Sequence, residues 1–249
     1  MSGGMVLAEV LGDVGRINMF FQVEPRTGPE PRGEGWEPVT VLGGADGKLA
    51  AEEVRRVRAR LGALSGGGVQ DVEWRVGASL FHQGLASRLL SPALALALCH
   101  GVRLRAPDLR FDPGRSGPLT LRTVQKRAEP ISAIPAEVAE WLDESVVGPV
   151  LMGVEAALAG VGRISTGLLR GNTTAALAGA ARALGGARPE RRAAAEEVVR
   201  LMLDRPSLSG TGHYTGKDRS GLAVFRRTTC CLYYRLPDGG LCGDCALRH

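Results

Sequence analysis

Apolar residues recur every three or four positions along much of the chain, which predicts a protein built mostly of helices. The clearest case follows Asp46, where Ala50, Val54, Val57 and Leu61 fall on one face of a helix. The arginines of this stretch lie largely on the other faces, where water can solvate them. The pattern therefore predicts an amphipathic helix whose apolar side packs on a core.

A longer apolar stretch covers residues 70–99. Pro92 interrupts it, and proline is tolerated in the first turn of a helix far better than in its interior. We therefore predict two helices divided near Pro92, with Ser91 as the N-cap of the second. Arg75, Ser79 and His82 follow one another about one turn apart on the first helix and line one side of it, which is the best candidate for a functional contact if it is not part of the core.

Helical patterning resumes over residues 135–184 and again over residues 188–203. Pro135 suits the first position of a helix, because its ring fixes φ near the helical value. A polar break at residues 165–172 separates two apolar stretches. We therefore predict that Asn172 is the N-cap of the helix that follows the break.

Two stretches alternate apolar and polar residues with a period of two, which is typical of strands. They are residues 102–105 and 119–124, and residues 109–111 form a candidate third strand between them. Together they predict a small antiparallel sheet. Residues 204–221 are polar and rich in glycine, which indicates a linker, and residues 222–235 include a further candidate strand.

These patterns predict an α+β fold that is mostly α, with a helical body, a small antiparallel sheet and a C-terminal segment. We place the body at residues 1–221 and the segment at residues 222–249. The chain has 249 residues, of which 44% are apolar and 23% charged. That length and composition are enough for a buried core and for one or two domains.

The net charge of +5 is carried almost entirely by arginine, and a basic surface attracts acidic partners. No arginine-rich run contains interleaved aromatic residues, so we expect no nucleic-acid partner. The longest apolar stretches, residues 89–99 and 146–162, predict buried helices and not membrane spans. Residues 1–13 show no secretory signal. We therefore expect a cytoplasmic protein, in which thiols stay reduced.

Four of the five cysteines follow one another with the spacing C-C-x10-C-x2-C: Cys230, Cys231, Cys242 and Cys245. Four thiolates so close in sequence can hold a zinc ion or a [2Fe–2S] cluster, because both take sulfur ligands. A structural zinc site usually has two C-x2-C pairs, whereas here one pair is adjacent and its side chains point apart in an extended chain. The spacing therefore favours an iron–sulfur cluster, with zinc or a metal-free redox dithiol as alternatives. Cys99 lies in an alanine–leucine run and is interpreted as a buried apolar residue.

The same stretch, with its Tyr-Tyr-Arg-Leu-Pro segment and its Leu-Cys-Gly-Asp-Cys ending, resembles the C-terminal signature of the FhuF-type ferric-siderophore reductases. The resemblance implies that the four cysteines hold a [2Fe–2S] cluster. It further implies that the cluster passes one electron to ferric iron in a siderophore, usually a hydroxamate one, inside the cell. The resemblance is specific at the cysteines and looser elsewhere, chiefly in residues 72–99 and 160–180.

Two further sets of residues are candidates for roles near the cluster. The residues expected to contact the substrate lie in the blocks of looser resemblance: Arg75, Ser79, Arg170 and Asn172. The residues expected to tune the cluster potential offer a positive charge or free backbone N–H groups: Arg235, Gly240 and Gly243. Arg226 and Arg227 would favour the reduced state in the same way. No catalytic residue is expected beyond the cluster, because electron transfer needs no general acid or base.

The turn between the two cysteine pairs imposes a geometric constraint. Residues 237–240, Pro-Asp-Gly-Gly, predict a tight turn. A regular hairpin around it would place Cys242 opposite Arg235, four residues or about 13 Å along a strand from Cys231 at ~3.3 Å per residue. Two ligands of one small cluster cannot lie so far apart. We therefore predict that residues 232–236 bend, and that strand pairing ends before the cysteines.

The expected function is one-electron reduction of siderophore-bound Fe(III) to Fe(II) by a ferric-siderophore reductase. The chain has no dinucleotide-binding fingerprint and no P-loop, so we expect an external electron donor such as a ferredoxin. One alternative is a non-enzymatic iron–sulfur electron carrier or iron sensor. Another is a helical protein stapled by zinc, without a redox role.

Overall fold

The computed structural model describes residues 6–26, 35–115 and 117–248, and within these ranges the chain forms seven α-helices and eight short strands. The helices are α1 (Leu7–Gly15), α2 (Lys48–Leu64), α3 (Trp74–His100), α4 (Pro135–Leu142), α5 (Met152–Val161), α6 (Thr166–Ala187) and α7 (Arg192–Leu203). The strands are β1 (Val23–Pro25), β2 (Glu37–Pro38), β3 (Val102–Arg103), β4 (Leu109–Phe111), β5 (Leu121–Thr123), β6 (Glu129–Pro130), β7 (Gly212–Lys217) and β8 (Ala223–Arg227). The expected α+β fold, mostly α, is confirmed.

Helix α3 lies at the centre of the core and runs unbroken for 27 residues. The prediction of two helices is wrong, because Pro92 lies in the interior of α3 and Ser91 caps nothing. All but one of the residues between positions 85 and 98 are buried, so other elements surround this half of the helix. Apolar packing on every side outweighs the ~3 kcal/mol that an interior proline costs. The helix ends where Gly101 adopts a left-handed conformation with φ of 61°.

Helix α6 packs along α3 and is longer than the sequence indicated. It begins at Thr166, so the prediction that Asn172 is an N-cap is wrong. The Asn172 side chain is fully buried and reaches across to α3, which it binds through its amide. An asparagine inside a helix is available for such a contact because its own backbone groups are already bonded within the helix.

Helices α4 and α5 are joined by a wider, π-type helical segment, Asp143–Leu151, which contains Pro149. The whole stretch Pro135–Val161 is long and apolar enough to cross a membrane by length and composition alone. Core helices of globular proteins meet the same criterion, and 44% of the most apolar window is buried inside the protein. The burial of Val154 and Leu158 places this stretch in the core.

The strands form three small sheets. The largest has the order β1-β5-β4-β2, in which β1 and β5 are parallel and the other pairs antiparallel. Strand β3 pairs with β6 in a separate sheet. The three predicted strands exist as β3, β4 and β5, but the prediction that they share one antiparallel sheet is wrong. Strand β1 enters from a distant part of the chain, and local alternation cannot reveal such long-range pairing.

Strands β7 and β8 form an antiparallel hairpin in which Gly212 lies opposite Arg227, with an irregularity between Tyr214 and Gly216. The strand predicted just before the cysteines is therefore confirmed. The linker predicted for residues 204–221 instead contains β7. Most residues of β7 are at least partly exposed, so its sequence shows no apolar alternation. The predicted boundary between body and segment falls in the turn of this hairpin.

Candidate iron–sulfur centre

The backbone leaves the ladder at the end of β8 and continues as a series of tight turns. Leu232 adopts a left-handed conformation with φ of 66°, and Tyr233–Arg235 form one 3-10 turn. The predicted bend at residues 232–236, with pairing that stops before the cysteines, is therefore confirmed. The bend brings the Sγ atom of Cys231 to 3.6 Å from the Sγ atom of Cys242.

The spacing of Cys231 and Cys242 fits two ligands of one metal. Two thiolates at tetrahedral angles, with metal–sulfur bonds of about 2.3 Å, lie roughly 3.8 Å apart. Contact with Cys242 lowers the pKa of Cys231 to about 6, and the same contact raises the pKa of Cys242. One thiol of this pair therefore loses its proton readily, and metal binding requires the thiolate.

Cys230 and Cys245 complete the set of sulfur donors. Each accepts a backbone hydrogen bond of 3.3 Å, from the N–H groups of Leu232 and Leu247 respectively. Burial raises the pKa of Cys230, and the neighbouring Cys231 and Cys245 act in the same direction, so these sulfurs share one small region. N–H groups directed at cluster ligands stabilise the reduced, more negative state of a cluster.

This donor set fits a [2Fe–2S] cluster. Cys230, Cys231, Cys242 and Cys245 are free thiols, the ligands that such a cluster takes. Among the described residues, no three His, Cys, Asp or Glu side chains gather closely enough for a single metal ion. Each iron of a [2Fe–2S] cluster needs only two protein ligands, and Cys231 and Cys242 already form such a pair. When bound, the cluster supplies one-electron redox chemistry.

A buried series of hydrogen bonds ties the cysteine segment to the helical body. The Ser79 hydroxyl on α3 donates to the carbonyl of Cys231 at 2.7 Å. The Asn172 amide on α6 donates to the Ser79 carbonyl and hydroxyl at 2.9 and 3.0 Å, and Arg227 donates to the Asn172 carbonyl oxygen at 2.5 Å. Buried polar groups are costly unless they are bonded, so these contacts fix the position of Cys231.

Gly171 allows the segment to approach α6 closely. A Cβ atom at this position would lie 2.1 Å from the Thr229 hydroxyl and 3.3 Å from Nη2 of Arg227. Arg227 is only 1% exposed, and among the described residues its Nε and Nη1 atoms have no hydrogen-bond partner. After the contact with Cys242, its positive charge is a further influence that lowers the pKa of Cys231. Arg227 therefore brings a buried positive charge to the thiols.

A small apolar cluster holds the other side of the segment. Leu232 and Leu236 pack with Val72 and Val76, at the start of α3. Next to this cluster, the Arg235 guanidinium donates to both carboxylate oxygens of Glu73 at 2.7 and 2.8 Å. The segment is therefore attached to α3 at two places, the Ser79 hydroxyl and this apolar cluster.

The residues predicted to contact a substrate lie in two kinds of environment. Ser79 and Asn172 are completely buried, so a bound substrate could not touch either side chain in this structure. They instead support the cysteine segment. The side chains of Arg75 and Arg170 are 44% and 40% exposed. A substrate-binding role stays a prediction for these two arginines.

The residues predicted to tune the cluster are only partly placed beside it. Arg235 forms its ion pair with Glu73, which offsets its charge. Gly240 and Gly243 are exposed, and the N–H groups that contact sulfur belong instead to Leu232 and Leu247. Tuning by Arg235 and the two glycines stays a prediction. The buried Arg227 is better suited to tune the cluster, because its positive charge already lowers the pKa of Cys231.

Sequence reasoning missed that a buried acid, Glu155, lies beside the buried His82 near this network. Glu155 on α5 is 2% exposed, and burial raises its pKa to about 7. Its carboxylate lies 3.6 Å from Nε of Arg170 and 3.8 Å from Nε2 of His82, whose pKa burial lowers to about 4. The available signal was the single charged residue within the apolar stretch 146–162.

Residues 227–247 match the family model of the FhuF 2Fe-2S C-terminal domain. This segment is therefore similar to that domain, and we call residues 227–247 the FhuF-type domain. Its match starts at Arg227 and contains all four cysteines of the motif, so the resemblance seen in the sequence and the [2Fe–2S] cofactor are confirmed. The helical body lies outside the match, and no curated protein matches the chain significantly.

Proposed function

We propose that this protein is a ferric-siderophore reductase. One electron passes to Fe(III) held by a hydroxamate siderophore, the metal becomes Fe(II), and an external donor replaces the electron lost by the protein. Hydroxamate oxygens are hard ligands that hold Fe(II) less tightly than Fe(III), so one electron is enough to free the metal. The role of the chain is to hold the redox group and to bring the ferric complex close to it.

The observation that carries this proposal is the FhuF-type [2Fe–2S] domain docked on a helical body. Cys230 and Cys242 are partly exposed, so the sulfur donors lie close enough to the surface for both donor and acceptor to approach. A bare electron carrier needs no such body. A cavity of about 630 Å³ lies between the body and the C-terminal segment, and its volume is within the usual range for small-molecule sites.

The surface around the cysteines supports an acidic protein as the electron donor. Tyr233, Tyr234, Leu241 and Leu247 are exposed apolar or aromatic side chains in this segment, and Arg248 adds an exposed positive charge. Aromatic and apolar side chains with arginine are typical of the contact surfaces of proteins. We place the protein in the cytoplasm, where an acidic ferredoxin is available and thiols stay reduced.

The test is anaerobic reoxidation of the reduced protein. Protein reduced with dithionite and then desalted is mixed with one equivalent of a ferric tris-hydroxamate, in the presence of a colorimetric Fe(II) trap. We expect the oxidised visible spectrum to return with one trapped Fe(II) per cluster. The Cys99→Ser variant is the matched control and should behave like the wild type. A reduced protein that keeps its spectrum in the presence of the complex would contradict the reductase and favour an electron carrier.

A further inference from the structure

The cavity of about 630 Å³ lies along the seam between α3 and α6 and is closed on one side by β8. Small residues of α6, including Ala175, Ala176 and Gly179, leave space along one wall. The opposite wall carries Gln83 and Ser87 of α3. Within the part of the chain that the structure describes, neither of these two polar side chains has a protein hydrogen-bond partner. We refer to this cavity as the seam groove.

One end of the seam groove is formed by Gly243 and Asp244. These are the two residues between Cys242 and Cys245, so the end wall of the groove is the loop that carries two of the four thiols. A Cβ atom added at Gly243 would meet no other atom within 4 Å, which shows that this part of the wall is open. A molecule in the groove would therefore be separated from the sulfur donors by a single short loop.

We propose that the seam groove is the binding site for the ferric complex, and that it takes uncharged complexes. This inference rests on the proposed function, because it gives the acceptor of the electron its place. The volume of the groove suits a ligand of several hundred daltons. The free hydrogen-bonding groups of Gln83 and Ser87 face it, and the aromatic ring of Phe20 lines it.

The charges of the seam groove favour an uncharged ligand. Arg182 forms an ion pair with Asp218, so these two charged side chains largely cancel. Asp244 adds a negative charge at the end nearest the thiols. An anionic complex would meet repulsion there and no free guanidinium from this pair. An uncharged ferric tris-hydroxamate avoids this repulsion, whereas a tris-catecholate carries three negative charges.

A second cavity provides a matched control. It has a similar volume of about 680 Å³, lies against a different side of α3, and none of its lining residues belongs to the FhuF-type domain. Gly84 lines this second cavity and Gly179 lines the seam groove. Both glycines are helical, and a Cβ atom at either would meet nothing within 4 Å. The first atom of a new side chain therefore has open space at either position, and a large side chain would extend into one cavity only.

The experiment measures binding without electron transfer. The probe is the uncharged Ga(III) complex of a hexadentate tris-hydroxamate chelator, because Ga(III) is not reduced under these conditions. Isothermal titration of oxidised, cluster-loaded protein should give binding to the wild type and to Gly84→Phe within twofold of each other. Gly179→Phe should bind at least tenfold more weakly. The trianionic Ga(III) tris-catecholate should bind the wild type at least tenfold more weakly than the hydroxamate complex.

An unchanged visible spectrum shows that a variant keeps its cluster. If the phenylalanine side chain prevents folding, Gly179→Leu is used in place of Gly179→Phe. Wild-type affinity in the groove-filling variant would overturn the site, even if the reduced protein is still reoxidised by the ferric complex. Equal affinity for the tris-catecholate would overturn the preference for uncharged complexes. If the gallium complex binds in the groove but the reduced protein is not reoxidised by the iron complex, the site stands and the proposed function fails.

Discussion

The helical body and the C-terminal cysteine segment are held together in different ways. The body buries an extensive apolar core around α3, in which residues such as Leu89, Leu90 and Leu94 are almost inaccessible to solvent. The segment after β8 buries few apolar side chains, chiefly Leu236 and two of the cysteines. The body is therefore stabilised by burial of its own apolar core, whereas the segment depends on specific polar contacts and on its metal ligands.

Removal of one metal ligand should change the segment strongly and leave the body almost unchanged. In Cys242→Ser, we expect complete loss of the cluster absorption, because the pair at 3.6 Å loses one of its sulfurs. The body should keep its helices, so the far-ultraviolet circular dichroism should stay close to that of the wild type. The matched control is Cys99→Ser, which lies apart from the segment and should keep full absorption. Loss of the cluster in the Cys99 variant would show that the ligands are wrongly assigned.

Glu155 lies in the body and makes the stability of the body depend on pH. Its pKa is raised to about 7 by burial, so the folded state holds a proton that the unfolded state releases above pH 4.5. The folded protein therefore loses stability as the pH rises from about 4.5 to 7, by about 3 kcal/mol in total. Glu155→Gln removes this loss. His82 has the opposite dependence and is present in both proteins.

The measurement is the melting temperature of Glu155→Gln relative to the wild type at pH 5 and at pH 8. The variant should gain several degrees relative to the wild type at the higher pH, since 1 kcal/mol corresponds to roughly 2–4 °C in a protein of this size. A difference between the two proteins that is the same at both pH values would show that Glu155 does not titrate in this range.

The apolar attachment of the segment can be weakened without touching a ligand. Leu236→Ala should destabilise the docked segment by about 2 kcal/mol, because it removes most of a buried side chain from a small cluster. Opening would then expose the cluster roughly 30 times more often. Anaerobic loss of absorption in the presence of a strong iron chelator measures this rate. Leu64→Ala is the control, since Leu64 is 78% exposed and should have no effect.

Removal of the buried positive charge of Arg227 should change the reduction potential of the cluster more than it changes the stability of the segment. Replacement by glutamine removes a positive charge near the thiols, so the reduced state loses stabilisation. We expect the reduction potential to fall by on the order of 50 mV, which corresponds to about 1 kcal/mol for one electron. Protein-film voltammetry measures the potential. Arg55→Gln, a surface change on α2 at an ion pair with Glu52, should leave it unchanged.

The sequence predicted what depends on local patterns. The apolar periodicity located most of the helices, and the cysteine spacing with its intervening turn predicted the bend before the second pair of thiols. It could not predict that Ser79 and Asn172 are buried, because their partners lie 93 and 152 residues away. It did single out both residues, but as substrate contacts. Strand β7 was missed because its mostly exposed residues lack the alternation that marks a half-buried strand.

The seam groove was invisible in the sequence for a different reason. Alanine and glycine in α6 indicate a helix that packs closely, and nothing local shows where two helices leave a space. Polar residues of α3 gave a partial signal, since Ser79, which lies one turn before Gln83, was predicted to make a functional contact. Only the positions of α6 and β8 show that Ser79 supports the cysteine segment whereas Gln83 lines the groove.

Ser79, Gln83, Ser87 and Ser91 follow one another in steps of four along α3, and the last three line the seam groove. The row is about 18 Å long at 1.5 Å per residue. The Ser79 end of this row holds the cysteine segment, and the other three positions form part of the groove wall. Substitutions at these three positions would change the groove wall without removing the hydrogen bond from Ser79 to Cys231. One helix therefore carries the support of the cysteine segment and the wall of the groove at separate positions along its length.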